Sequence, residues 1–119
     1  MAAHNELGKI GENLALAYLV DKGYMLRDRN WRYRHLEIDL VMAYEQTVIF
    51  VEVKTRANED LMEAVTAVNQ QKIRRLLRAA NIYIQLFQLE CDLRFDIVTI
   101  VGTDIDAMNI KHFENAFEP

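Results

Sequence analysis

The sequence predicts an α/β protein on a mixed β-sheet, and three features predict it. Residues 36–56 hold two β-branched, aromatic-rich runs around a short polar break, which is a hairpin signal. Residues 5–22 and 70–89 repeat apolar side chains at helical spacing. Strand-like runs stand before the hairpin and after the second helix. The order is helix, three strands, two helices, strand, strand, which favours helices layered on a mixed sheet.

The first helix covers residues 5–22, with Leu7, Ile10, Leu14, Ala17 and Tyr18 as its apolar stripe. Gly23 is placed to cap it in the left-handed conformation. Glu6, Lys9 and Asn13 form the polar face. Glu12 lies instead among Gly8, Ala15, Leu16 and Leu19. Position alone favours an edge carboxylate in water over one aimed inward at a positive group. Residues 24–27 begin a strand that runs into an arginine-rich bend at Arg27, Arg29, Arg32 and Arg34. A lone Trp31 reads as a core plug before it reads as a base-stacking platform. His35 reads as a surface histidine.

After the hairpin, Asp60 is placed to cap a short helix over residues 61–68, and Asn69 to break it and cap the next. That next helix, residues 70–89, has Ile73, Leu76, Leu77, Ala80, Ile84 and Phe87 as its buried stripe. Arg74, Arg75 and Arg78 lie off the stripe. Lys72 sits near the helix N-terminus, a poor place for a cation unless an acidic group or a phosphate faces it. Residues 93–101 form a strand, 102–104 a turn, and 108–113 a final edge strand.

The hairpin carries the unusual chemistry. Asp39 interrupts its first apolar run, and Glu52 and Lys54 its second. Charges in a half-buried sheet are costly unless paired or bound to metal. Strand alternation puts Phe50, Glu52 and Lys54 on one face and Ile49, Val51 and Val53 on the other, which must be core. Glu37, Asp39 and Val41 share a face of the preceding strand. An even loop sets Asp39 opposite Glu52 and Glu37 opposite Lys54; an odd one moves Asp39 to the face of Val53. The even loop is the expectation. Two ionised carboxylates about 5 Å apart repel by roughly 3 kcal/mol at an effective dielectric of 20. A hard divalent cation reverses that cost, and oxygen pairs of this kind suit magnesium. A lysine beside the ion can position or deprotonate a water.

Length and composition set outer bounds. The 119 residues suit one domain, with 51% hydrophobic and 27% charged residues as in ordinary soluble proteins. Cys91 stands alone, so no internal disulfide forms. No basic segment leading into an apolar one opens the chain, and no apolar run approaches the ~20 residues of a membrane span. The expectation is a cytoplasmic protein without membrane attachment. A net charge of −4 disfavours a simple electrostatic nucleic-acid binder, yet Lys72, Arg74, Arg75 and Arg78 cluster, as do the four arginines of residues 27–34. Local basic patches on an acidic protein can still hold phosphates. No glycine-rich phosphate loop, paired-cysteine zinc pattern or serine nucleophile elbow is present.

Asp39 followed by Glu52-Val53-Lys54 at the end of a hairpin resembles the PD-(D/E)xK nuclease superfamily. More of the chain is similar to the YraN-like family of small bacterial proteins: Gly11-Glu12, Gly23-Tyr24, Glu37-Ile38-Asp39-Leu40, Phe50-Val51-Glu52-Val53-Lys54, Arg56, Lys72 and Arg94-Phe95-Asp96. The resemblance covers nearly the whole chain. It implies a restriction-endonuclease-like three-layer domain over residues 1–119, a central mixed sheet flanked by helices, similar to archaeal Holliday junction resolvases. It implies that Asp39 and Glu52 ligate Mg2+ or Mn2+ near the Val53 carbonyl and that Lys54 positions the attacking water. Glu12 would stand near the metal, and Arg32, Arg56 and Lys72 would contact substrate phosphates. Glu37 matches the motif without a clear role, with Lys54, Arg56 or a second metal as its candidate partners. The resolvase likeness also implies a homodimer. Leu36 replaces the glycine usual before Glu-x-Asp, a bulk placed to narrow the groove.

Three functions compete: a metal-dependent endonuclease on DNA, selective for branched structures; a non-catalytic DNA-binding or adaptor protein on the same scaffold; and a structural domain whose charges form only an ion-pair network. The last is disfavoured because a buried triad is costly without a metal.

Overall fold

Helix α1 (Ala2–Asp21) opens the chain and stops at Gly23, whose φ is 101°. The Gly23 N–H donates to the Val20 carbonyl at 2.9 Å and the Tyr24 N–H to the Leu19 carbonyl at 3.0 Å. This pair of bonds satisfies the last carbonyls of the helix and turns the chain into the sheet. The computed structural model describes residues 2–57 and 70–118. The expected short helix over residues 61–68 and its caps at Asp60 and Asn69 lie outside the described residues.

Among the described residues five strands follow in one sheet whose spatial order equals their chain order: β1 (Met25–Tyr33), β2 (Leu36–Tyr44), β3 (Thr47–Arg56), β4 (Asp92–Val101) and β5 (Asn109–Phe113). Only the β3–β4 pair is parallel, so the sheet is mixed as expected. A parallel pair needs a crossover, and helix α2 (Gln70–Leu86) is part of it. A 3-10 turn, Ile105–Ala107, precedes β5. Among the described residues no helix is long and apolar enough to cross a membrane.

The sheet is sandwiched, giving three layers. Under α1 lie Ala15, Leu19, Leu40, Met42, Ile49, Val51, Val98 and Ile100. Under α2 lie Leu36, Ile38, Val41, Phe50, Leu76, Ala80, Tyr83 and Phe95. Both faces of β3 are therefore core through Glu52, whereas only the Ile49–Val51–Val53 face was required to be.

Three readings of the helices and arginines need correction. The α1 stripe is rotated: Gly11, Ala15 and Leu19 are buried and Ala17 is exposed. Gly11 and Ala15 make much of this inner line small, which lets the helix lie close to the sheet there. Helix α2 ends three residues early, at Leu86, because Gln88 takes a left-handed φ of 52° and Leu89 N–H caps Ile84 at 3.0 Å. Phe87 is thereby turned outward, and Tyr83 takes the inward place, edge-on to Trp31 and Phe50. The arginine-rich bend is strand: Arg27, Arg29 and Arg32 all lie in β1.

β1 and β2 are irregular where it matters. Trp31 pairs with Ile38, and Arg29 with Leu40. Ile38 packs under α2 but Leu40 under α1, although two residues apart normally share a face. Between the pairs, Asn30 has a φ of 51°, a conformation that asparagine tolerates better than most residues. Both strands thus swap faces at Asn30 and Asp39.

Candidate active site

The β2–β3 turn is two residues, Glu45 and Gln46, and its register runs from Tyr44↔Thr47 to Leu40↔Val51. Continued by one pair, it sets Asp39 opposite Glu52, as an even loop requires. The paired ladder stops there. Instead of a strand partner, the Val53 N–H finds the Asp39 carboxylate, Oδ2 at 2.9 Å. The face swap has turned the side chain of Asp39 into the gap between parting strands. The expected common face of Glu37, Asp39 and Val41 does not survive this, nor does the Glu37–Lys54 pairing. Glu37 faces Arg32 across β1 instead, at 3.4 Å, half-exposed.

Glu52 is buried, with Oε2 held by Lys72 Nζ at 2.8 Å and approached by Lys54 Nζ at 3.5 Å. Lys72 reaches it from the first turn of α2. The cation that macrodipole arguments disfavour at that end has an acidic partner.

Glu12 is aimed inward, contrary to the edge reading. Its Oε1 accepts from Arg29 Nε at 2.9 Å, and its side chain is only 16% exposed. Arg29 also donates to Asn13. Gly11 makes this approach possible, since a Cβ there would run into the Thr55 side chain of β3. Arg29, expected only as part of an arginine-rich bend, is thus a partner of the candidate site. The signal for it was Asn30, whose tolerance of positive φ marks where the strand turns its side chains over.

The electrostatics follow from this crowding. Burial and then the Glu52 charge push the Asp39 carboxyl up to about 7; the Val53 N–H opposes this, Glu12 adds to it, and Lys72 opposes it most weakly. Burial, with Lys72 beside it, lowers the Lys54 ammonium below the ordinary lysine value. Burial alone would lower Lys72 too, but its bond to Glu52 and the charge of that carboxylate outweigh it and hold it higher.

A cavity of about 690 Å³ opens beside α1, lined by Glu12, Arg29, Arg32, Asp39, Lys54 and Arg56, among others. Glu52 and Lys72 are not part of its lining. Arg56 also donates from Nη1 to the Thr55 carbonyl at 2.9 Å. Leu36 lies elsewhere, 4% exposed in the core under α2, so its bulk does not narrow the groove.

The oxygens that could hold a cation here are those the resemblance implies, the Asp39 and Glu52 carboxylates and the Val53 carbonyl, hard donors of the kind magnesium or manganese takes. Among the described residues no three His, Cys, Asp or Glu side chains stand together as a metal-holding group. The fit therefore rests on the Asp39–Glu52 pair with a main-chain oxygen.

A three-layer α/β protein with two carboxylates and a lysine where a hairpin opens defines the class. The family follows from comparison. The model of uncharacterised protein family UPF0102 matches residues 11–100, and the chain belongs to that family, the YraN-like family of the resemblance. A UPF0102 protein of Bacteroides thetaiotaomicron is 49% identical over 119 residues, covering 100% of this chain and 98% of the relative. One from Phocaeicola vulgatus is 44% identical, with the same coverage. One from Chlorobium chlorochromatii is 40% identical over 94% of this chain and 91% of its own.

Proposed function

We propose that the protein is a Mg2+- or Mn2+-dependent endonuclease acting on DNA phosphodiester bonds, on a restriction-endonuclease-like scaffold and with a preference for branched DNA. The observation that carries the reading is the Asp39 carboxylate standing in the strand gap on the Val53 N–H, beside Glu52 and Glu12. A hard divalent cation would offset the excess negative charge of the Asp39–Glu52 pair.

Asp39, Glu52 and the Val53 carbonyl would hold the ion. When bound, it supplies a Lewis acid for the scissile phosphate and a more acidic water. Lys54 orients that water, and its lowered pKa suits it to exchange a proton with it. Arg32 and Arg56 bind flanking phosphates at the cavity rim, positioning the chain without reading sequence. Arg29 holds Glu12 toward the cavity.

Cleavage of branched, single-stranded and duplex DNA with Mg2+ or Mn2+ tests this. Asp39→Asn and Lys54→Ala are each expected to lower the rate by roughly 10²–10⁴-fold. Metal-dependent cleavage that survives both changes overturns the assignment. One observation favours a second reading, a non-catalytic DNA-binding or adaptor protein: Glu52 is already engaged by two lysines. Binding without cleavage of every substrate would select it.

A further inference from the structure

A second cavity, of about 420 Å³, is lined by His35, Gln71, Arg74, Arg75 and Arg78. Four of the five side chains are basic or can become so. No acid lines it among the described residues, and none there forms an ion pair with these arginines. Arg74, Arg75 and Arg78 are exposed on the outer side of α2, away from the buried Leu76, Ala79, Ala80 and Tyr83. Arg74 and Arg78 are one helical turn apart, where like charges repel and slightly weaken a helix. An anionic partner would relieve this repulsion and find several guanidinium groups on one surface.

The β1–β2 turn joins this cavity to the first. Arg32 lines the carboxylate cavity, while His35, three residues on, lines the α2 cavity. Arg34 stands between them, exposed, with a φ of 58°. Basic side chains thus recur from Arg56 and Arg32, over the turn, to Arg78, with Glu37 beside Arg32 at 3.4 Å as an acid among them.

We propose that this is a continuous cationic track that binds the phosphate backbone of a nucleic acid, carrying it from the carboxylate cavity over the β1–β2 turn onto α2. Guanidinium forks match phosphate oxygens in pairs, and a row of them fits a regularly spaced polyanion. The track holds the strand beyond the scissile bond and contributes affinity rather than chemistry. The proposal rests on the nucleic-acid reading of the carboxylate site but not on cleavage.

The test is binding of a fluorescently labelled DNA duplex in EDTA, followed by anisotropy across a salt series. The triple change Arg74→Ala, Arg75→Ala, Arg78→Ala replaces exposed residues by a strong helix former, and circular dichroism checks that α2 is intact. It is expected to weaken binding roughly tenfold or more and to reduce the slope of log K against log salt by about 2–3. The triple lysine variant, which keeps the charge, is expected to recover most of that slope. An unchanged slope in the alanine variant overturns the track, as does absence of binding by the wild type. Tighter binding of an acidic peptide or an anionic vesicle than of the duplex also overturns it. Binding without cleavage leaves the track standing and defeats only the nuclease reading.

Discussion

Two carboxylates in this sheet live under opposite conditions. Asp96 on β4 is fully buried and fully served: Arg94 donates to both its oxygens at 2.9 and 2.8 Å, His112 Nε2 stands at 2.7 Å, and the Asn115 N–H at 3.0 Å. Lys22 Nζ faces the other ring nitrogen of His112 at 2.9 Å. An ammonium only donates, so that nitrogen accepts and Nε2 carries the proton to Asp96. Burial would raise Asp96, but His112, Arg94 and Asn115 outweigh it and hold its pKa below the ordinary value. Asp39, largely buried on β2, has the Val53 N–H and two further carboxylates for neighbours, and is pushed up to about 7. A buried acid supplied with its own cations fastens the fold; here it ties β4 to β5 and to the chain end, where Phe117 stacks on Phe95. Among the described residues Asp39 has no such cation bonded to it; the cations nearby are taken by its acidic neighbours, Lys72 and Lys54 by Glu52 and Arg29 by Glu12.

The largest effect that can break this contrast is at the satisfied site. Asp96→Ala leaves the partly exposed Arg94 with only the exposed Glu114 carboxylate, at 3.3 Å, and takes the buried acceptor from His112. It is expected to cost about 3–5 kcal/mol in urea denaturation. A cost near zero would mean the Asp96 cluster is not structural.

The opposite sign is expected at Asp39. Its folded pKa lies above the unfolded value, so its contribution is fully present below about pH 4. It is lost as pH rises through about 7. Metal-free protein should therefore lose stability across that window, by up to about 1.4 kcal/mol per pH unit. Asp96 works the other way: its contribution is present above the unfolded value and fades as pH falls below it. Asp39→Asn should remove the neutral limb, stabilising the metal-free protein by about 1–3 kcal/mol at pH 8 and little at pH 4. Denaturation midpoints across pH check both limbs, and a neutral limb that persists in Asp39→Asn would assign it elsewhere.

Much of this was legible in the residues. The even turn, the Gly23 cap and the mixed sheet follow from alternation and turn chemistry. What was hidden depends on packing. Alternation hides the face swap at Asn30 and Asp39, because a single residue with positive φ resets it. The inward aim of Glu12 depends on Gly11, whose missing side chain leaves no hydrophobic signal. The end of α2 at Gln88 carries no glycine to announce it. Leu36 looked like an obstruction only because its face was unknown; the swap sends it into the core. The Asp96 cluster assembles from four separate segments, and no spacing reveals it.

The most direct measurement is thermal unfolding with and without Mg2+ at pH 8, for the wild type, Asp39→Asn and Glu52→Gln. A ligand at ten times its dissociation constant stabilises by about 1.4 kcal/mol. A cation site built from Asp39 and Glu52 predicts that Mg2+ raises the wild-type midpoint and leaves both variants unmoved, with the gain shrinking below pH 6 as a proton takes the place of the metal. No shift in the wild type, or an equal shift in all three, would contradict it.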